Sequence, residues 1–93
     1  MAEQAVGTVQ LDNDRVKVTE WSFAPGAETG HHRHEYDYIV VPLTQGKLLI
    51  RDKAGERLAD LTVGGSYGRN AGVEHNVINA NPYPFRFIEI EIK

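Results

Sequence analysis

The chain has 93 residues, with 10 Lys or Arg against 13 Asp or Glu and a formal net charge of −3, which leaves room for one domain over 1–93 and not for two. Disulfides are excluded because there is no cysteine. A nucleic-acid partner is disfavoured because the basic residues are scattered, and no run reaches the roughly 20 apolar residues of a membrane span. A domain this small draws its stability from a well-packed β core, from self-association or from a metal.

The opening MAEQAVGTVQ lacks the basic and apolar regions of a secretory signal, so a soluble, cytoplasmic protein is expected. Residues 1–7 carry no strong pattern and read as a partly ordered arm. Thr8 to Leu11 reads as a first strand, closed by the turn-forming Asp12-Asn13-Asp14. Val16 to Phe23 reads as a second strand. Its apolar alternation shifts from Val16 and Val18 to Trp21 and Phe23, which predicts a bulge near Thr19-Glu20.

Asp37 to Leu43 is a β-branched and aromatic run, the mark of a mostly buried strand. Pro42 within it has no amide to donate and belongs at a sheet edge or bulge. Gln45-Gly46 turns the chain into Lys47 to Asp52, and Lys53-Ala54-Gly55 makes a hairpin into Arg57 to Val63. A short strand begins at Tyr67, a loop runs from Asn70 to Glu74, and His75 to Asn79 is again strand-like. After the rigid Asn81-Pro82-Tyr83-Pro84 turn, Phe85 to Ile92 ends in strict alternation, with Ile88, Ile90 and Ile92 on one face and both glutamates on the other. Phe85 and Phe87 oppose Arg86 and the isoleucines, so which face is interior stays open. No window shows a helical period. Eight or nine short strands separated by turn residues predict an all-β barrel or sandwich.

All four histidines fall in two places: His31, His32 and His34 together, and His75 downstream. Histidine is the commonest protein metal ligand. On a strand, His32 and His34 project from one face with α-carbons about 7 Å apart, while His31 and Arg33 face the other way. Two such imidazoles can meet one ion at about 2.1 Å each. A third histidine has to come from a neighbouring strand, and His75 is the only one left. Three ligands on one side leave open positions, as a catalytic site requires.

Gly26-x5-His32-x-His34, followed by Gly46, resembles the first motif of the cupin superfamily. Gly64-x5-Asn70-x-Gly72-x2-His75-x3-Asn79 resembles the second, with Asn70 where the family usually has proline. The two motifs span Gly26 to Asn79. The stretch HRHEYDYIVVPLTQG is similar to short single-domain bacterial cupins, a group that includes beta-alanine degradation proteins. The resemblance implies a double-stranded β-helix, or jelly roll, holding one divalent metal, with Fe(II) favoured over Mn, Ni or Zn. It also implies His32, His34 and His75 as ligands.

One position departs from the family pattern. The usual glutamate follows the second histidine after three or four residues, where this chain has Tyr38 and Ile39. The nearest carboxylates are Glu35 and Asp37, and Asp37 is the candidate fourth ligand if a bulge swings it inward. Tyr36 and Tyr38 share the parity of His32 and His34 and read either as phenols that orient a substrate or as aromatic packing. His31 reads as a rim residue, Arg86 as an inward or interface cation, and Asn79 as a residue satisfying turn backbone.

Within the family, three-histidine sites resemble those of iron-dependent dioxygenases. The resemblance therefore implies a mononuclear enzyme acting on a small, anionic organic acid. A non-catalytic module that senses a small ligand, or a purely structural metal, are the alternatives. A homodimer is expected, because a short barrel leaves apolar sheet surface to cover.

Overall fold

The computed structural model describes residues 3–93, and the alternating runs fold as nine strands with no helix among those residues. They are β1 Val6–Asp12, β2 Val16–Phe23, β3 His32–Arg33, β4 Asp37–Pro42, β5 Gly46–Asp52, β6 Gly55–Leu61, β7 Tyr67–Arg69, β8 Glu74–Asn79 and β9 Phe85–Ile92. Two antiparallel sheets form, in the orders β1-β2-β9-β4-β7 and β3-β8-β5-β6. Apart from the hairpins β1-β2 and β5-β6, neighbours in each sheet come from distant parts of the chain, the mark of a jelly roll, or double-stranded β-helix.

Met1 and Ala2 of the predicted arm lie outside the described residues. From Glu3 onward the segment is held: the Ala5 amide donates to Glu28 and the Glu28 amide to Glu3, each at 2.8 Å. Ala5 is buried in the core and Val6 already belongs to β1.

The inner faces of the larger sheet are set by β2 and β9, which pair without interruption from Val16↔Ile92 to Phe23↔Phe85. The expected bulge in β2 is therefore absent. The irregularity falls in β1, between Val9 and Leu11. The apparent register shift in β2 has another cause. Thr19, Trp21 and Phe23 face inward, whereas Val16 and Val18 belong to the outer face, beside the outer residues of β9.

The same pairing settles β9. Phe85, Phe87 and Glu89 point inward and are buried, while Arg86, Ile88, Ile90 and Ile92 point outward. Of the two readings of Arg86, the inward one does not hold: the side chain is exposed at the surface and pairs with Glu20 at 2.7 Å. Two phenylalanines bury more apolar area than half-covered isoleucines, at roughly 1.5–3 kcal/mol per fully buried large side chain. That preference fixes which way the strand faces.

Phe23, Phe85, Phe87, Val40, Leu48 and Val77 form the centre of the core. Pro42 closes β4 opposite Phe87, beyond the last residue that β7 pairs with, so no partner strand seeks its missing amide. Asn79 is buried and does what the sequence suggested. Its Nδ2 donates to the carbonyls of Phe23, Ala24 and Tyr83, and its Oδ1 accepts from Asn81. Gly46 is needed for space, since a Cβ there would meet Asn81 Oδ1 at 2.6 Å and the Tyr83 hydroxyl at 2.7 Å. No helix among the described residues is long and apolar enough to cross a membrane.

Candidate metal centre

His32 lies on β3 directly opposite His75 on β8. His34 follows just beyond β3, and its backbone is clamped from both sides. Its amide donates to Val73 at 2.9 Å, and its carbonyl accepts the Gly72 amide at 2.8 Å. Gly72 reaches that position with φ +97°, a conformation that residues with a Cβ rarely adopt. The His34 ring stacks on Tyr38 of β4, with centroids 3.8 Å apart and planes 18° from parallel. Three separate chain segments therefore hold the three imidazoles in place.

The rings converge. His32 Nε2 is 3.0 Å from His34 Nε2, which is 3.1 Å from His75 Nε2. Two nitrogens each about 2.1 Å from one ion stand about 3.0 Å apart at a right angle and about 3.4 Å apart at a tetrahedral angle. The two separations match neighbouring ligands of one ion held near a right angle. The donor set also suits an ion: His32 Nδ1 lies 2.8 Å from the Gly30 carbonyl, which can only accept, so the proton sits on Nδ1 and the Nε2 lone pair points into the centre. Gly30 is fixed in turn by its amide, which donates to Asn76 Oδ1 at 3.0 Å.

Burial, followed by the neighbouring His32 ring and then His75, pushes the His34 pKa down to about 4. Burial, with His32 next, lowers His75 to about 4 as well. Both rings are neutral at pH near 7, the form that binds metal. The three histidines form a cluster whose ligand atoms all lie within 4.8 Å of one another, an arrangement that could hold a metal ion.

The cluster opens into a cavity of about 250 Å³ whose walls include Trp21, Tyr38, Tyr67, Glu89 and Glu91. A larger cleft of about 600 Å³ shares Tyr38, Ile50, Tyr67 and His75 with it. Tyr38 is buried, lines both spaces, and has its pKa raised to about 12, first by burial and then by Glu89. It remains a phenol and a hydrogen-bond donor.

The other sequence candidates separate from the cluster. Asp37 is exposed, and its Oδ1 accepts the Ala71 amide at 2.8 Å, so the bulge that would have swung it inward does not form. Tyr36 is exposed and lines neither cavity. His31 faces away as its parity required, with Nε2 3.8 Å from the Glu74 carboxylate.

Glu89 was missed. It is only 9% exposed, lines the cavity, and has its pKa raised to about 7. Burial is the largest cause and Glu91 adds to it, against the opposing pull of Trp21 and Lys17. Strand parity carried the signal: with Phe85 and Phe87 inside, Glu89 and Glu91 must be inside as well.

Comparison with known proteins bears on the same residues. The family described as Cupin domain matches residues 19–91. The beta-alanine degradation protein BauB of Pseudomonas aeruginosa is 62% identical over 90 residues, covering 97% of this chain and 95% of that protein. The crystal structure of a cupin domain from Bordetella pertussis superposes with a TM-score of 0.98 at 57% identity, over 100% of this chain and 97% of that one. A cupin superfamily protein from Desulfitobacterium hafniense, at 22% identity, shares the fold with a TM-score of 0.74 over 99% of this chain and 80% of that one. A family match spanning both histidine segments, on a jelly roll that brings those segments together, makes this chain a member of the cupin family.

Proposed function

We propose that the protein is a mononuclear metal-dependent enzyme, dioxygenase-like, acting on a small organic acid. The observation that carries this reading is the convergence of His32, His34 and His75 at the wall of a cavity rather than inside a closed shell. His32, His34 and His75 would hold one divalent ion, Fe(II) being favoured, which supplies Lewis acidity and, as iron, the capacity to react with dioxygen. Neutral ligands leave the ion's full charge to attract an anionic group of the substrate. Tyr38 would donate a hydrogen bond to a bound molecule, a role supported by its position on the cavity wall and its stacking on His34. Trp21, Val40 and Phe87 supply an apolar wall beside the histidines. The likeness to a beta-alanine degradation protein points to small amino or carboxylic acids as the first substrates to try.

Elemental analysis of the purified protein is expected to find about one transition-metal ion per chain, and His75→Ala is expected to lose it. Unchanged metal in that variant would remove the ligand set. Oxygen consumption by the Fe(II)-loaded protein across a panel of carboxylic acids, amino acids, diketones and thiols then tests the reaction. No turnover with Fe(II), Mn or Ni across the panel would sink the oxygenase reading.

We also propose a homodimer through the outer face of the larger sheet. Half-buried Ile39, Val41, Ile88 and Ile90 lie there beside exposed Ile92 and Leu11, an apolar surface of the kind that associates. Light scattering should report twice the chain mass, and Ile90→Glu should halve it.

A further inference from the structure

We propose that Glu89 recognises an ammonium group, so that the cavity takes small molecules with an amine at one end and, at the other, an anionic group for the histidine cluster. This rests on the proposed metal at that cluster.

Glu89 stands in the wall of the same cavity as the three histidines, and the residue is only 9% exposed. Its cross-strand neighbours on the inner face are Thr19 of β2 and Val40 of β4, neither of them charged. Among the described residues, no Lys, Arg or His comes within 4.0 Å of its carboxylate. Lys17 is the cation of this face, but it pairs in register with Glu91, one step further along β9. Glu91 thus has a cation in register, whereas Glu89 has only the Trp21 side chain as a hydrogen-bond donor and Lys17 at a distance.

A carboxylate in such a place is expensive to keep. Burying an ion without an adjacent countercharge costs several kcal/mol, and an apolar residue continuing Phe85 and Phe87 would avoid that penalty. The missing countercharge is best supplied by the molecule that fills the cavity. The remaining walls agree with this. Trp21, Tyr38 and Tyr67 line the same space, and aromatic rings attract an ammonium group, as the Arg69 guanidinium over one face of Tyr67 already shows; one face of Tyr38 is taken by His34.

The cluster, once it carries a divalent ion, attracts the opposite charge. A molecule with a carboxylate at the metal and an ammonium at Glu89 therefore leaves neither buried charge unanswered, whereas a simple carboxylic acid answers only one. A cavity of about 250 Å³ restricts such a molecule to a handful of heavy atoms. The chemical class is a short amino acid, its two ends separated by a few bonds.

The test uses the full chain loaded with Zn(II), which avoids turnover. Calorimetry compares glycine, β-alanine and 4-aminobutyrate with acetate, propionate and butyrate. Metal content is measured in every sample. At least one amino acid should bind about tenfold more tightly than the acid of the same length, as a charge-assisted contact predicts. Glu89→Gln should bring that ratio to about twofold or less while retaining metal, because an amide keeps the shape and removes the charge.

Should Glu89→Gln fail to fold, Glu89→Asp serves instead. It keeps the charge on a shorter arm and should shift the preference toward a longer amino acid. Equal binding of amine and acid, binding of neither, or a preference that survives in Glu89→Gln would each overturn the proposal. Failure of the wild-type chain to take up metal would instead overturn the reading of the cluster.

Discussion

Replacing Glu89 by glutamine should change how the stability of the metal-free protein depends on pH. The residue is 9% exposed, and its pKa rises from 4.5 in the free side chain to about 7, first through burial and then through Glu91. Between those two values the folded state holds more protons than the unfolded state, so stability falls as pH rises. The contribution is complete below 4.5 and gone above about 7. At 1.36 kcal/mol per pKa unit the whole effect is about 3 kcal/mol, and water entering the cavity reduces it toward about 1. Glutamine is neutral throughout. Wild type should therefore lose about 1–3 kcal/mol relative to Glu89→Gln between pH of about 4.5 and about 8, or roughly 4–8 °C of Tm for each kcal/mol. Urea unfolding of both metal-free proteins at several pH values measures this, with the m-value checked for constancy. His34 and His75 titrate in both proteins and cancel in the difference. A difference that stays flat over this range would mean that the Glu89 carboxyl is solvated, and the argument from its burial would fall.

Other outcomes follow from the same geometry. In a Glu89→Gln background the metal-free protein should lose stability as pH falls from 6.5 toward about 4, because burial lowers the pKa of His34 and His75 and the unfolded chain then binds more protons. Urea midpoints across that range should show the slope, and His34→Gln with His75→Gln should flatten it. Asn79→Ala strands three backbone carbonyls and leaves Asn81 without its acceptor, so a loss of about 3 kcal/mol is expected by urea unfolding. A loss below about 1 kcal/mol would show that water replaces those bonds. Arg86→Ala removes only an exposed ion pair with Glu20 and should change the unfolding free energy measured in urea by less than about 1 kcal/mol.

Much of the candidate site was legible in the chain because it depends on short-range geometry. His32 and His34 share a face by strand parity, and that same parity sends His31 outward. His75 is a long-range partner, but with four histidines in the chain it was the only one left to supply the third nitrogen. Asp37 was harder to place. Whether its carboxylate turned inward depended on a bulge that does not form, and a nearby loop amide at Ala71 takes it instead. Tyr36 and Tyr38 have the same parity, yet only Tyr38 lies under the second sheet, stacked on His34, while Tyr36 stays exposed at the end of the turn.

Residue order alone determined the strand content, the positions of the turns and the pairing of one His-x-His segment with one distant histidine. Side-chain period and turn chemistry act over a few residues and are written directly in the chain. Only the tertiary structure decided which face of each strand is the inside. That choice compares the burial of Phe85 and Phe87 with that of Ile88 and Ile90 across sheets joined by distant segments. It carried Glu89 into the cavity and Arg86 out of it, because alternation along a strand leaves each residue no other side to take.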